Sequence, residues 1–305
     1  MKKILITGGT GTVGEAFIKN YYNDYKFYTL SRNEENVSFF NKNYPKVETY
    51  IGSIEDYERV ITIFNKVKPD IVIHTAAIKH IDFAEKNQTQ AVMSNIVGSM
   101  NIIKASINAN IPLTVGVSTD KACYPTSVYG YTKKLMEELF FDAHTESNRF
   151  ICTRFGNVAG SNGSVIPFWK TLVENNTNLK LTDVAMNRLM FTKKDAAELI
   201  HKAIEISDDN KSESFVVSKK MKSVNLYELA KHMSDKEVEI VGKRPGEKLD
   251  ESLIHTLEIP YTLVHGDFVL IKKETQSSEK NIPYEYSSKT AEKADINEIN
   301  KLINQ

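Results

Sequence analysis

Six short apolar runs, separated by stretches of helical period, set the rhythm of the first half of the chain. They are KKILIT at residues 2–7, FYTL at 27–30, VETYI at 47–51, DIVIHT at 70–75, LTVGVST at 113–119 and FICTRF at 150–155. Runs of this length, bounded by glycine or polar residues, predict buried strands. Between them, residues 13–22, 57–67 and 90–108 carry apolar side chains at helical spacing. Strand alternating with helix predicts a parallel sheet covered on both faces, and right-handed crossovers make a doubly wound sheet the expected arrangement.

After Phe155 the rhythm breaks. GNVAGSNGSV at 156–165 holds three glycines and reads as a loop. LMFTKKDAAELIHKAIEI at 189–206 returns to strand followed by helix, with Thr192 and Asp195 spaced as a capping box. From about residue 207 short strands, turns and helices mix without the earlier rhythm. The pattern predicts a nucleotide-binding domain over residues 1–165 with 188–206. It predicts a smaller mixed α/β substrate lobe over 166–187 and 207–305, with KKETQSSEKN at 272–281 as a polar connector.

The chain has 305 residues, 41% hydrophobic and 26% charged, which suits a globular protein with a sizeable core. Lys+Arg and Asp+Glu are equal at 39 each, so no net charge favours nucleic acid or a membrane surface. No stretch approaches the roughly 18 apolar residues of a membrane span. Cys123 and Cys152 form no disulfide framework, and the seven histidines show no ligand spacing. Reduced thiols, a cytoplasmic location and no metal are expected.

ITGGTGTVG follows the first strand and opens the first helix. Gly8, Gly11 and Gly14 let the backbone turn tightly and approach a pyrophosphate at the positive helix end, while Thr10, Thr12 and Val13 fill the loop between them. This is the loop of a Rossmann-type dinucleotide site. The second strand ends in Ser31 and Arg32, and a guanidinium suits a 2′-phosphate, favouring NADP; Glu34 and Glu35 leave NAD open. Ser53 and Ile54 end the third strand near the expected adenine. Ala76 and Ala77 end the fourth, small enough for the cofactor to lie against the backbone.

STDKACYPTSVYGYTKK at 118–134 crowds the remaining chemistry into one segment. Tyr129 and Lys133 are four apart, on one helix face, where an ammonium is expected to lower the tyrosine pKa. Tyr131 and Lys134 lack that spacing. Asp120 and Lys121 add an acid and an amine that a simple hydride transfer does not need.

TGGTGTVG with YGYTK resembles the extended short-chain dehydrogenase/reductase superfamily, in its nucleotide-sugar branch. STDKACYPTSVYGYTK, TRFGNVAGSNGSVIPFW, LTDVAMNRLMFTKKDAAELI and GKRPGEKLDESLI narrow this. Together they resemble the UDP-N-acetylglucosamine 4,6-dehydratases, soluble 5-inverting type, in order from Met1 to about Ile254. The resemblance implies that Tyr129, with Thr119 and Lys133, takes the sugar 4-hydroxyl proton as hydride leaves C4. It implies that neutral Lys121 removes the C5 proton and protonated Asp120 assists loss of the 6-hydroxyl. Lys79, Asn157, Val165, Arg188, Arg244 and Glu247 then match the family's UDP-sugar contacts; Asn95, a polar residue on a predicted helix, is expected to support the site by backbone hydrogen bonding. A homodimer or larger homo-oligomer through the helices flanking the fifth strand is implied as well. A nucleotide-sugar 4-epimerase, a 5-retaining dehydratase and a non-catalytic NADP sensor are the alternatives. The chain departs from the family at Ser53, commonly Asp, and at Cys123 and Tyr124, commonly smaller residues.

Overall fold

The computed structural model describes residues 1–274 and 282–305; of the polar connector at 272–281, residues 275–281 lie outside the described residues. The first half alternates as the periodicity predicts: β1 (Lys3–Thr7), α1 (Thr12–Asn20), β2 (Lys26–Ser31), α2 (Glu34–Asn43), β3 (Glu48–Ile51), α3 (Tyr57–Val67) and β4 (Ile71–His74). Then come α4 (Ile81–Lys86), α5 (Gln88–Val92), a π-helical turn (Met93–Val97), α6 (Gly98–Asn108) and β5 (Leu113–Thr119). A 3-10 turn (Asp120–Ala122) leads to α7 (Val128–Ala143) and β6 (Arg149–Phe155).

The remainder holds β7 (Asn157–Val158), α8 (Val165–Glu174), β8 (Leu179–Leu181), β9 (Asn187–Phe191), α9 (Lys193–Asp209), β10 (Val216–Lys219) and β11 (Lys222–Asn225). It continues with α10 (Leu226–Met233), β12 (Val238–Ile240), β13 (Ser252–Ile254), a 3-10 helix (Thr256–Tyr261), β14 (Thr262–His265), β15 (Phe268–Ile271), β16 (Tyr286–Ser287) and α11 (Ile296–Ile303).

Among the described residues nine strands make the main sheet, in the order β14-β15-β10-β6-β5-β4-β1-β2-β3. The run from β3 to β10 is parallel, with β15 and β14 antiparallel at one edge. Strand order reverses between β1 and β4, which opens a crevice at their carboxyl ends. Buried runs such as Ile4, Leu5 and Ile6 face helices on both sides, as a doubly wound sheet requires. Thr192 and Asp195 form the predicted capping box of α9.

The stretch after residue 207 is not all lobe. β10, β14 and β15 extend the main sheet, because α9 crosses over and returns the buried Val216 and Val217 alongside β6. The smaller sheets β11-β9-β7 and β12-β8 pack with α8 and α10 around a second core centred on wholly buried Trp169. Among the described residues no helix is long and apolar enough to cross a membrane.

Candidate active site

The crevice at the β1–β4 reversal is a cleft of about 530 Å³. Its wall is made where backbone comes closest. Gly8 has φ +73°, and a Cβ there would lie 2.9 Å from the Ala76 nitrogen. A Cβ on Gly14 would lie 2.6 Å from the Gly9 Cα, so α1 can start tight against the turn only with glycine. Gly11 caps α1 without a side-chain bond, which leaves the helix N-terminus open toward the cleft.

Gly8, Thr10, Gly11, Thr12, Val13, Ser31, Arg32, Ile54, Ala76 and Ala77 line the cleft, as do Lys79, Asn157, Thr119, Lys121, Tyr129 and Lys133. Gly14 and Ser53 stand outside the lining; the Ser53 hydroxyl accepts from the Glu55 N–H at 3.2 Å. Sequence reasoning missed His80, which lines the cleft with Ser161, Asn162, Gly163 and Ser164 of the glycine-rich loop that the family resemblance marks. The available signal was Gly163, whose φ of +72° and lack of a Cβ let the His80 ring pack on it.

The chemical end is built by β5 running into its 3-10 turn while α7 presses on the same turn. The Thr119 hydroxyl donates to Asp120 Oδ1 at 2.9 Å, and Lys121 Nζ donates to the same oxygen at 3.0 Å. Asp120 is wholly buried, and its Oδ2 has no hydrogen-bond partner among the described residues. Burial disfavours the Lys121 ammonium, but Asp120 and Glu251 outweigh it and raise its pKa.

Here one expectation is corrected. Burial pushes the Tyr129 hydroxyl up to about 12, and the cation that opposes this is Lys121, helped by a hydrogen bond with Thr119. Lys133 instead donates to the Val117 carbonyl at 2.7 Å, and burial brings its pKa down to about 8. An i,i+4 spacing puts two residues on one face but does not aim their side chains at each other. Beneath Lys133, His74 is buried between the Thr7 and Ser99 hydroxyls at 2.7 and 3.0 Å. Burial, then the Lys133 charge, lowers it to about 3, so it is neutral. Asn95 bonds the backbone of Ile78 through both ends of its amide, at 2.8 and 3.0 Å, and reaches Thr132 at 3.0 Å.

The remaining predicted substrate residues, Val165, Arg188, Arg244 and Glu247, stand outside the cleft lining. Arg188 is buried and donates to the Asn187 and Leu249 carbonyls at 2.7 and 3.0 Å, with Nη2 3.8 Å from Glu247. Arg244 is exposed and pairs with Asp82 of α4 at 3.0 Å. Val165 begins α8 beside the lining residue Ser164.

Cys123 and Tyr124 dock the acid–base turn on the C-terminal segment. Tyr124, at φ +50°, lies against the His255 ring with centroids 4.4 Å apart. Lys248 Nζ donates to the Cys123 and Tyr124 carbonyls at 3.1 and 3.0 Å. Burial raises the Cys123 thiol pKa, so it is a packing group rather than a nucleophile.

The chain is 38% identical over 267 residues to a Campylobacter jejuni protein named UDP-N-acetylglucosamine 4,6-dehydratase (inverting), covering 83% of this chain and 77% of that one. It is 28% identical over 333 residues to a Rickettsia massiliae protein named UDP-glucose 4-epimerase, covering 99% and 95%. The X-ray structure of Pen from Bacillus thuringiensis superposes with a TM-score of 0.90 at 30% identity, over 99% of this chain and 96% of that one. The profile of the family described as polysaccharide biosynthesis protein matches residues 4–273, and the chain belongs to that family.

Proposed function

We propose that the protein removes water from UDP-N-acetylglucosamine across C5 and C6, with NADP as a retained hydride carrier and inversion at C5. The product is then a UDP-2-acetamido-2,6-dideoxy-L-arabino-hexos-4-ulose. The observation that carries this reading is the Asp120–Lys121 pair, at 3.0 Å, at the end of β5 and beside Tyr129.

A dinucleotide fits the cleft: the glycine cradle excludes any Cβ, and the helix N-terminus opens on it. Lys133 and Tyr129 would flank its nicotinamide end, and Ser31 and Arg32 its ribose end. When bound, a nicotinamide nucleotide accepts hydride from C4 and returns it to C6. Tyr129 takes the 4-hydroxyl proton, with Thr119 and Lys121 stabilising its phenolate. The resulting 4-ketone acidifies the C5 hydrogen.

The resting ion pair contains what elimination needs. One proton moving from Lys121 Nζ to Asp120 Oδ1 turns ammonium and carboxylate into amine and carboxylic acid. The amine then removes the C5 proton, and the acid protonates the departing 6-hydroxyl. Ammonium and carboxylate are restored as water leaves, so no external acid or base is consumed. Solvent supplies the proton that C5 takes on the opposite face, and Tyr129 releases the 4-hydroxyl proton to solvent, so the enzyme is restored and the product is inverted. Lys79 and Asn157 contact the sugar, and Arg188, Arg244 and Glu247 close on the UDP. The smaller sheets with α8 and α10 form the substrate lobe, and the main sheet holds the cofactor.

The test is NMR of purified protein with UDP-N-acetylglucosamine and NADP+ in deuterated water. Deuterium at C5 of an L-configured 4-keto-6-deoxy sugar supports the reading; folded protein that forms no such sugar overturns it. The Rickettsia relative's name favours a second reading, a 4-epimerase. Asp120→Asn stops a dehydratase and spares an epimerase.

A homodimer is proposed through α6 and α7. Met100, Ile107 and Leu135 are exposed there, and a groove of about 270 Å³ runs between Met100, Ile107 and Leu139. Sedimentation as a monomer at micromolar concentration excludes it.

A further inference from the structure

The mechanism above leaves one buried carboxylate beside its acid–base pair without a role. Glu251, immediately before β13, is 2% exposed. Its Oε1 lies 3.9 Å from Lys121 Nζ, and its Oε2 lies 3.0 Å from Lys248 Nζ. The first distance is too long for a hydrogen bond, and Oε2 has no hydrogen-bond partner among the described residues, so both interactions are charge with charge. Glu251 is held from behind: its N–H donates to the Ser288 hydroxyl at 3.1 Å, and its carbonyl accepts from the Ser288 N–H at 2.8 Å. Lys248 is fixed in turn by the Cys123 and Tyr124 carbonyls.

Resting on the dehydratase reading, we propose that Glu251 is a positioning residue. Paired with Lys248, its carboxylate holds the Lys121 ammonium beside Asp120 and sets the pH above which Lys121 loses to solvent the proton that Asp120 needs. The charged groups facing Lys121 are Asp120 in its own turn, Glu251 ahead of β13 and Arg188 on β9, with the Tyr129 hydroxyl on α7. Asp120 and Glu251 favour the ammonium, and Arg188 opposes it. As Lys121 accepts the C5 proton its new charge lies 3.9 Å from the Glu251 carboxylate, and 3.0 Å from that of Asp120 once the acid has given its proton to the departing hydroxyl. Lys248 offsets part of Glu251's pull. Removing the carboxylate and removing its anchor therefore act in opposite directions.

The experiment is an NMR titration of the Lys121 side chain in the folded protein, read beside the pH profile of C5 deuterium exchange. Glu251→Gln moves the Lys121 midpoint and the falling limb of exchange to lower pH. Lys248→Met moves both to higher pH. Midpoints that stay in place, or that move the same way in both variants, overturn the proposal. If Glu251→Gln does not fold, the direction for Lys248→Met decides. If the wild type yields no dehydrated sugar, the functional reading fails while the titration still decides the role of Glu251.

Discussion

Arg154 on β6 and Glu258 in the 3-10 helix at Thr256–Tyr261 are joined by two hydrogen bonds, of 2.8 and 2.9 Å, although 104 residues separate them in the chain. The same guanidinium bonds both oxygens of Glu137 on α7, at 3.0 and 2.7 Å, and donates to the Leu253 carbonyl at 2.7 Å. All five of its N–H donors are used, and Arg154 is wholly buried. One side chain thus ties the helix carrying Tyr129 and Lys133 to the segment that holds Lys248 and Glu251.

Breaking this tie costs stability. Arg154→Met leaves two carboxylates buried without their cation, and a loss of about 3–5 kcal/mol is expected in urea denaturation. Burial alone would raise the Glu258 pKa, but Arg154 holds it down to about 2 from an ordinary 4.5. A depressed folded-state pKa contributes stability that is present above pH 4.5 and lost as pH falls toward about 2. Glu258→Gln removes that part of the acid profile. An Arg154→Met midpoint equal to wild type contradicts the assignment.

Gly130 lies on α7, where helix propensity alone favours alanine. A Cβ there would meet the Lys121 carbonyl oxygen at 2.4 Å, and neither backbone can yield cheaply. Gly130→Ala should therefore lose about 1–3 kcal/mol. Displacing the Asp120–Lys121 turn should also slow elimination by about tenfold or more. Denaturation and steady-state rates of the variant measure both, and wild-type values in each exclude the close approach.

Lys133 is held where its charge is disfavoured: burial takes its pKa from 10.5 to about 8. Between those values the unfolded chain binds more protons than the folded one, so this group adds stability as pH rises from about 8 to 10.5. Lys133→Met removes that slope. The stability difference, wild type minus variant, should grow in favour of wild type across the window. The variant should also lose the redox step at C4. Urea titrations at several pH values measure the slope, and a constant difference argues against a buried, titrating Lys133.

Arg32 lies on the cleft at the end of β2, half exposed and 3.7 Å from Glu55. If it meets a 2′-phosphate, Arg32→Asp should lower the preference for NADP over NAD by about 10–100-fold, the loss of one or two charge-assisted hydrogen bonds. Fluorescence titration with each nucleotide measures this. Equal preference in both proteins means that the phosphate is read elsewhere.

Local spacing made much of the molecule legible. The glycine loop, the capping box at Thr192 and the register of Tyr57–Val67 follow from residues a few positions apart. Other features were illegible because their partners are remote in the chain. Glu251 is 130 positions from Lys121, Arg154 pairs across 104, and Tyr124 rests on His255. β10 and β15 looked like parts of a lobe because four-residue strands show no period that assigns them to a sheet.

By itself the sequence determined the alternation of strand and helix, the place of the dinucleotide loop, and the crowding of Thr119, Asp120, Lys121, Tyr129 and Lys133 into one segment. These are matters of covalent order, and backbone periodicity translates order directly into elements. Only the tertiary structure decided that Lys121, not Lys133, is the cation acting on Tyr129, and that Asp120 is buried beneath it. It alone brought Glu251 and Lys248 to the same pair. Charge and burial act through space, and residues more than 100 positions apart meet only when the sheet has closed.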